Sequence, residues 1–129
     1  MSKKKILIVD DEKDALFVLG KELMSRSYDV ICAENGNDAL SLAESKHPDL
    51  IILDIWMPGM DGAEVAEKLR ENPKTKDIPV VFLTCLLEKK SEEGQGRLVA
   101  NKVIIAKPYD IESLSSQIER LVNWKYAHG

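Results

Sequence analysis

Two cysteines in 129 residues are too few for a disulfide framework, and no Cys/His spacing resembles a zinc site. Cys32 and Cys85 are read as small, partly buried thiols in a reducing compartment. The two histidines also carry little: His47 precedes Pro48 in a polar turn and His128 lies at the C-terminal end. No apolar stretch approaches the roughly 20 residues of a membrane span. Met1 to Lys5 runs straight into a short apolar run and then into charge, so no secretory leader is expected. A net charge of −4 argues against binding to nucleic acid or to anionic membranes. No GxxxxGK motif occurs, which removes a P-loop nucleotide enzyme from consideration.

What is present is an ordinary globular balance, 44% apolar and 31% charged, in a chain long enough to bury one core. Four short apolar runs stand out: ILIV (6–9), LIIL (50–53), VVFL (80–83) and VII (103–105). DVICA (29–33) is a fifth, less apolar segment. Continuous Val/Ile/Leu runs suit parallel strands covered on both faces. Between them the apolar residues follow a helical period: Leu16, Leu19 and Leu23; then Ala39, Leu40 and Ala43; then Val65, Ala66 and Leu69. The last segment has the clearest stripe, Ile111, Leu114, Ile118, Leu121 and Val122.

Asp61 with Glu64 reads as a capping box, and Asp110 as the N-cap of the last helix. The segments HP (47–48) and NPKTKDIP (72–79) are breakers where helices should stop. The fourth connection, EKKSEEGQGRLVAN, carries Gly94 and Gly96 and predicts a short or frayed helix. Strand and helix therefore alternate five times. That pattern predicts one doubly wound α/β domain spanning 1–129, with a core of about 4–123, a five-stranded parallel sheet and no output domain.

In such a sheet, ligands bind beyond the carboxyl ends of the strands. The first run ends in Asp10 and Asp11, the third in Asp54, the fourth in Thr84 and the fifth in Lys107, followed by Pro108. Neighbouring carboxylates repel one another unless a cation neutralises them. Otherwise Asp10 and Asp11 form only a solvated turn. Oxygen ligands suit Mg²⁺, held by one or two carboxylates together with a phosphate oxygen. A metal and a lysine on opposite sides of Asp54 would frame a pocket for a dianionic phosphoryl group, with Asp54 as the nucleophile.

These residues resemble the receiver domain of two-component response regulators over essentially the whole chain. The motifs that carry the resemblance are ILIVDDE (6–12), PDLIILDIWMPGMDG (48–62), VVFLT (80–84) and AKP (106–108). It implies a flavodoxin-like fold with strand order 2-1-3-4-5. It also implies that Asp54 is the phosphoacceptor, Asp11 a direct Mg²⁺ ligand, and Asp10 an acid acting through a metal-bound water. The backbone carbonyl of Trp56 would be a further ligand. Thr84 would move to the phosphoryl group on activation, Lys107 would bind it, and the Lys107–Pro108 bond would be cis. MPGMDG would be the turn into the third helix.

Three departures concern the readout. Ile104 stands where many receivers have a switching Tyr or Phe. Ala100-Asn101 replaces a common Gly-Ala, and Cys85 replaces a small residue, often Ala. Trp56 and Leu86 flank the expected path of the hydrolytic water and are expected to shield it.

The resemblance thus implies a phosphoacceptor protein rather than an enzyme, one that assists its own phosphorylation and dephosphorylation. Its phosphoryl source would be a sensor histidine kinase or a histidine phosphotransfer protein, in bacterial cytoplasm. The signal would leave through the 85–110 surface to an effector protein, by self-association, or to an output domain absent from this chain. The alternative is a receiver-like interaction module that works without phosphorylation. An aspartate-nucleophile phosphatase of the haloacid dehalogenase type wants a second acid two residues past the nucleophile, and Trp56 occupies that place.

Overall fold

The computed structural model of the chain describes residues 3–85, 103–107 and 109–128. Among these, five strands and four helices follow one another as β1 (Lys5–Val9), α1 (Lys13–Ser25), β2 (Asp29–Ala33), α2 (Gly36–Lys46), β3 (Leu50–Asp54), α3 (Gly62–Glu71), β4 (Val80–Cys85), β5 (Val103–Lys107) and α4 (Ile111–His128). The strands pair in parallel in the order β2-β1-β3-β4-β5, as the sequence reading expects. Each strand begins or ends within two residues of its apolar run. The frayed helix expected in the fourth connection, with Leu86, Gly94, Gly96 and Ala100-Asn101, lies outside the described residues.

Strand alternation splits the core into two layers. Leu7, Val9, Ile51, Leu53 and Phe82 point to one face, where α2 and α3 cover them with Ala39, Ala43, Val65 and Leu69. Ile6, Ile8, Ile52, Val81 and Leu83 point to the other, covered by α1 and α4 through Leu16, Leu19, Leu23, Leu114 and Ile118. β1 and β3 are therefore buried on both faces, which is why they read as unbroken apolar runs. β2 is an edge strand with Asp29 and Cys32 exposed, which accounts for its weaker signal. The expectation of a partly buried Cys32 is corrected: its side chain is exposed, because β2 has no outer neighbour among the described residues. Partial desolvation and the Glu34 carboxylate still hold its thiol above the usual pKa.

The helix starts are set by polar side chains. Asp61 accepts from the Glu64 amide at 2.9 Å, Asn35 from the Asp38 amide at 2.8 Å and Asp110 from the Ser113 amide at 3.2 Å. His47 ends α2 in the left-handed region, at φ 50°. No described helix is long and apolar enough to cross a membrane.

Candidate functional site

Because all five strands are parallel, their carboxyl ends share one rim of the sheet. β1 is followed there by Asp10 and Asp11, and β3 ends in Asp54. The Asp10 amide donates to the Ala33 carbonyl at 3.1 Å, which fixes the direction in which β1 ends. The three acids meet: one carboxylate oxygen from each of Asp10, Asp11 and Asp54 lies within 4.8 Å of the others. Asp10 and Asp54 are only 7% and 8% exposed, whereas Asp11 faces solvent. The cluster thus has a buried floor and one open side.

Backbone amides orient the two buried acids. The Glu12 amide donates to Asp10 Oδ1 at 2.9 Å, and the Trp56 amide to Asp54 Oδ1 at 3.3 Å. The loop after Asp54 is tied at both ends, by the Ile55 amide to the Leu83 carbonyl (3.1 Å) and by the Gly62 amide to the Ile55 carbonyl (2.9 Å). α3 can start this close only because Gly62 lacks a side chain: a Cβ there would stand 2.5 Å from the Asp54 carbonyl oxygen.

Strand register brings the remaining candidates to the same rim. Thr84 pairs with Ala106 and Cys85 with Lys107, so the backbones of Thr84 and Lys107 stand at adjacent strand ends. The side-chain parts of those expectations, and Pro108 with its cis bond, lie outside the described residues. Trp56 sits at the rim with its side chain 54% exposed. Ile104 is half-buried and packs on the cluster that contains its β4 register partner, Phe82.

Two participants have no counterpart in the sequence reading. Tyr109 lies half-buried beside the rim, and its hydroxyl donates to Glu22 Oε1 on α1 at 3.4 Å. Burial and the Glu22 carboxylate push the phenol up to about 12. A cavity of about 200 Å³ opens between Tyr109, Asp10, Glu12, Val18, Leu19 and Leu83. A separation of 87 positions between Glu22 and Tyr109 leaves no local signal to read.

The donor set suits a hard divalent cation: three carboxylates, all oxygen, with one side open for waters or a further ligand. Comparison with known proteins settles the family. Residues 6–119 match the family model described as response regulator receiver domain. The chain belongs to that family. Its relatives include the probable transcriptional regulator ycf27 of Porphyridium aerugineum, 36% identical over 122 residues, which are 95% of this chain and 49% of that protein. The response regulator PleD of Caulobacter vibrioides is 36% identical over 94% of this chain and 26% of its own length. The receiver therefore spans about half of the first relative and about a quarter of the second. Among solved structures, the response regulator TrrA of Thermotoga maritima, determined in complex with Mg²⁺–BeF, superposes with a TM-score of 0.77 at 35% identity. That match covers 92% of this receiver and 98% of TrrA.

Proposed function

We propose that this receiver is a phosphoryl-accepting switch in a two-component or phosphorelay system, with Asp54 as the acceptor. The observation that carries the reading is the convergence of Asp10, Asp11 and Asp54 within 4.8 Å at the carboxyl ends of β1 and β3. Asp10, Asp11, Asp54 and the Trp56 carbonyl would hold Mg²⁺. When bound, the ion neutralises charge on the carboxylates and on the incoming phosphoryl oxygens.

In the proposed transfer, an Asp54 carboxylate oxygen forms a bond to phosphorus. The phosphorus–nitrogen bond of a phosphohistidine donor breaks, and its electron pair returns to the imidazole, which takes up a proton. Little acid–base chemistry is needed, so position and charge carry the step. The Trp56 amide donates to Asp54 Oδ1 and so orients the carboxylate. Lys107 would pair with the transferred phosphoryl oxygens and Thr84 would donate its hydroxyl to them. Water later cleaves the acyl phosphate and restores Asp54, so the protein is a phosphoacceptor rather than a turnover enzyme.

The donor is a sensor histidine kinase or a histidine phosphotransfer protein in the cytoplasm. The outer face of α1 offers it Phe17, Val18 and Met24, all more than half exposed, with Lys21 among them. Added charge on Asp54 then shifts the population of the 85–110 surface toward a form read by an effector, a second copy or an output segment. No direct contact with nucleic acid is part of this reading.

Intact mass after incubation with acetyl phosphate tests it. A gain of one phosphoryl group that requires both Mg²⁺ and Asp54, and is lost in Asp54→Ala, is the expected result. Folded protein that gains nothing would instead support a phosphorylation-independent interaction module. Followed in time, the same assay reads the shielding proposed for Trp56 and Leu86: Trp56→Asn with Leu86→Glu should lose the group faster, and an unchanged decay would sink that idea.

A further inference from the structure

A cavity of about 520 Å³ opens at the end of the sheet opposite the acid cluster. The segment entering β1 brings Lys3 and Lys4 to it, and the turn between α1 and β2 brings Arg26 and Ser27. Tyr28 and Val122, both buried, form its floor. From α4, Asn123 adds a side-chain amide and Glu119 the one acid among the described lining residues. Backbone hydrogen bonds hold the cationic stretches together. The Arg26 and Tyr28 amides both donate to the Leu23 carbonyl, at 2.9 and 3.2 Å, with Ser27 between them in the left-handed region at φ 75°. The Asp29 amide donates to the Lys4 carbonyl at 2.9 Å, which ties this turn to the segment before β1.

Charge decides what such a cavity takes. Lys3, Lys4 and Arg26 against Glu119 leave a surplus of two positive charges, on a chain whose net charge is −4. The floor adds no negative charge. Burial pushes the Tyr28 phenol up and Glu119 adds to the rise, against the Ser115 hydrogen bond and the Arg26 guanidinium, so the hydroxyl stays neutral. Arg26 also meets Glu112 at 3.4 Å, but an exposed pair of this kind contributes little, and the guanidinium stays available to a ligand. A neutral apolar ligand would take these charges out of water with nothing in return. An anion would be met by all three cations, with the Ser27 hydroxyl and the Asn123 amide as further donors.

We propose that this cavity is a binding site for a small multivalent anion, phosphate- or carboxylate-bearing, separate from the acid cluster. Its volume falls within the roughly 300–1,000 Å³ of small-molecule sites. The five residues of β1 stand between it and Asp10, a separation of about 15 Å. The inference therefore stands whether or not Asp54 accepts a phosphoryl group.

The experiment titrates the chain with pyrophosphate and, separately, with citrate, in buffer free of divalent cations so that nothing bridges either probe to the acid cluster. Backbone amide NMR shifts locate binding and calorimetry measures it. The expected result is saturation with a Kd below about 1 mM for at least one probe, with shifts at Ser27, Tyr28 and Asn123 and none at Glu12 or Trp56. Binding of both probes supports the shared chemistry; binding of one alone assigns the site to phosphate or to carboxylate ligands. Arg26→Gln and Lys4→Gln should each weaken binding about fivefold, and Glu119→Gln should tighten it about threefold, the scale of exposed charge pairs. Lys68→Gln, on α3 and outside the cavity, removes the same charge and should leave the Kd unchanged. Weaker binding of both probes, shifts confined to the acid rim, or an equal loss in Lys68→Gln and Arg26→Gln overturns the proposal. Should Arg26→Gln fold poorly by urea denaturation, Lys4→Gln and Glu119→Gln decide.

Discussion

At Gly62 a single absent methyl group sets the distance between α3 and the strand that ends in Asp54. An added Cβ would meet the Asp54 carbonyl oxygen at 2.5 Å and the Ile55 Cα at 2.8 Å, both backbone atoms that cannot swing aside. Gly62→Ala must therefore push α3 away or bend the loop. A loss of about 1–3 kcal/mol in urea unfolding is expected, the usual scale of overpacking. Mg²⁺ affinity should fall in the same variant, because the Asp54 carboxylate is oriented by the loop that Gly62 closes. Gly36 is a milder case. Its Cβ would approach Met60 Sδ and Val65 Cγ2, and the flexible end of Met60 can move.

The elements show where local rules suffice and where they stop. Asp61 and Asp110 cap α3 and α4 as their spacing predicts, because an N-cap is decided within four residues. β1 and β3 announce themselves because burial on both faces demands apolar residues at every position. The turn at 72–79 was legible only as a breaker. What organises it is Thr75, 2% exposed, whose hydroxyl donates to the Leu69 carbonyl at the end of α3 at 2.6 Å. Thr75→Val keeps the shape but leaves that carbonyl short of a partner. About 1–3 kcal/mol should be lost in chemical denaturation, with the rim chemistry unaltered. The acid cluster was legible for a different reason: parallel strands deliver their last residues to one edge, so three sequence positions become one place. Tyr109 and Glu22 were not legible. Their contact depends on how α1 and the start of α4 lie against the same face of the sheet, and no periodicity encodes that.

At the scale of the molecule, the sheet acts as a wall between two apolar layers that, among the described residues, share no side chains. Ile51 belongs to the layer under α2 and α3, and Ile118 to the layer under α1 and α4. Ile51→Val and Ile118→Val should each cost about 0.5–1.5 kcal/mol. Their combination should add within about 0.3–0.5 kcal/mol when read by urea denaturation, as expected for sites with no common neighbours. The same topology has a consequence in time. β1 lies in the middle of its half of the sheet, with Ile6 paired to Val30 on one side and to Leu50 on the other. At a synthesis rate of roughly 5–20 residues per second, β1 exists for about 2–9 s before β3 is made. Through that interval the most buried strand-forming run of the early chain is apolar on both faces and half-paired at best. The nascent chain is therefore most exposed to aggregation before Asp54 has been translated, and chaperone capture should peak at that stage of elongation.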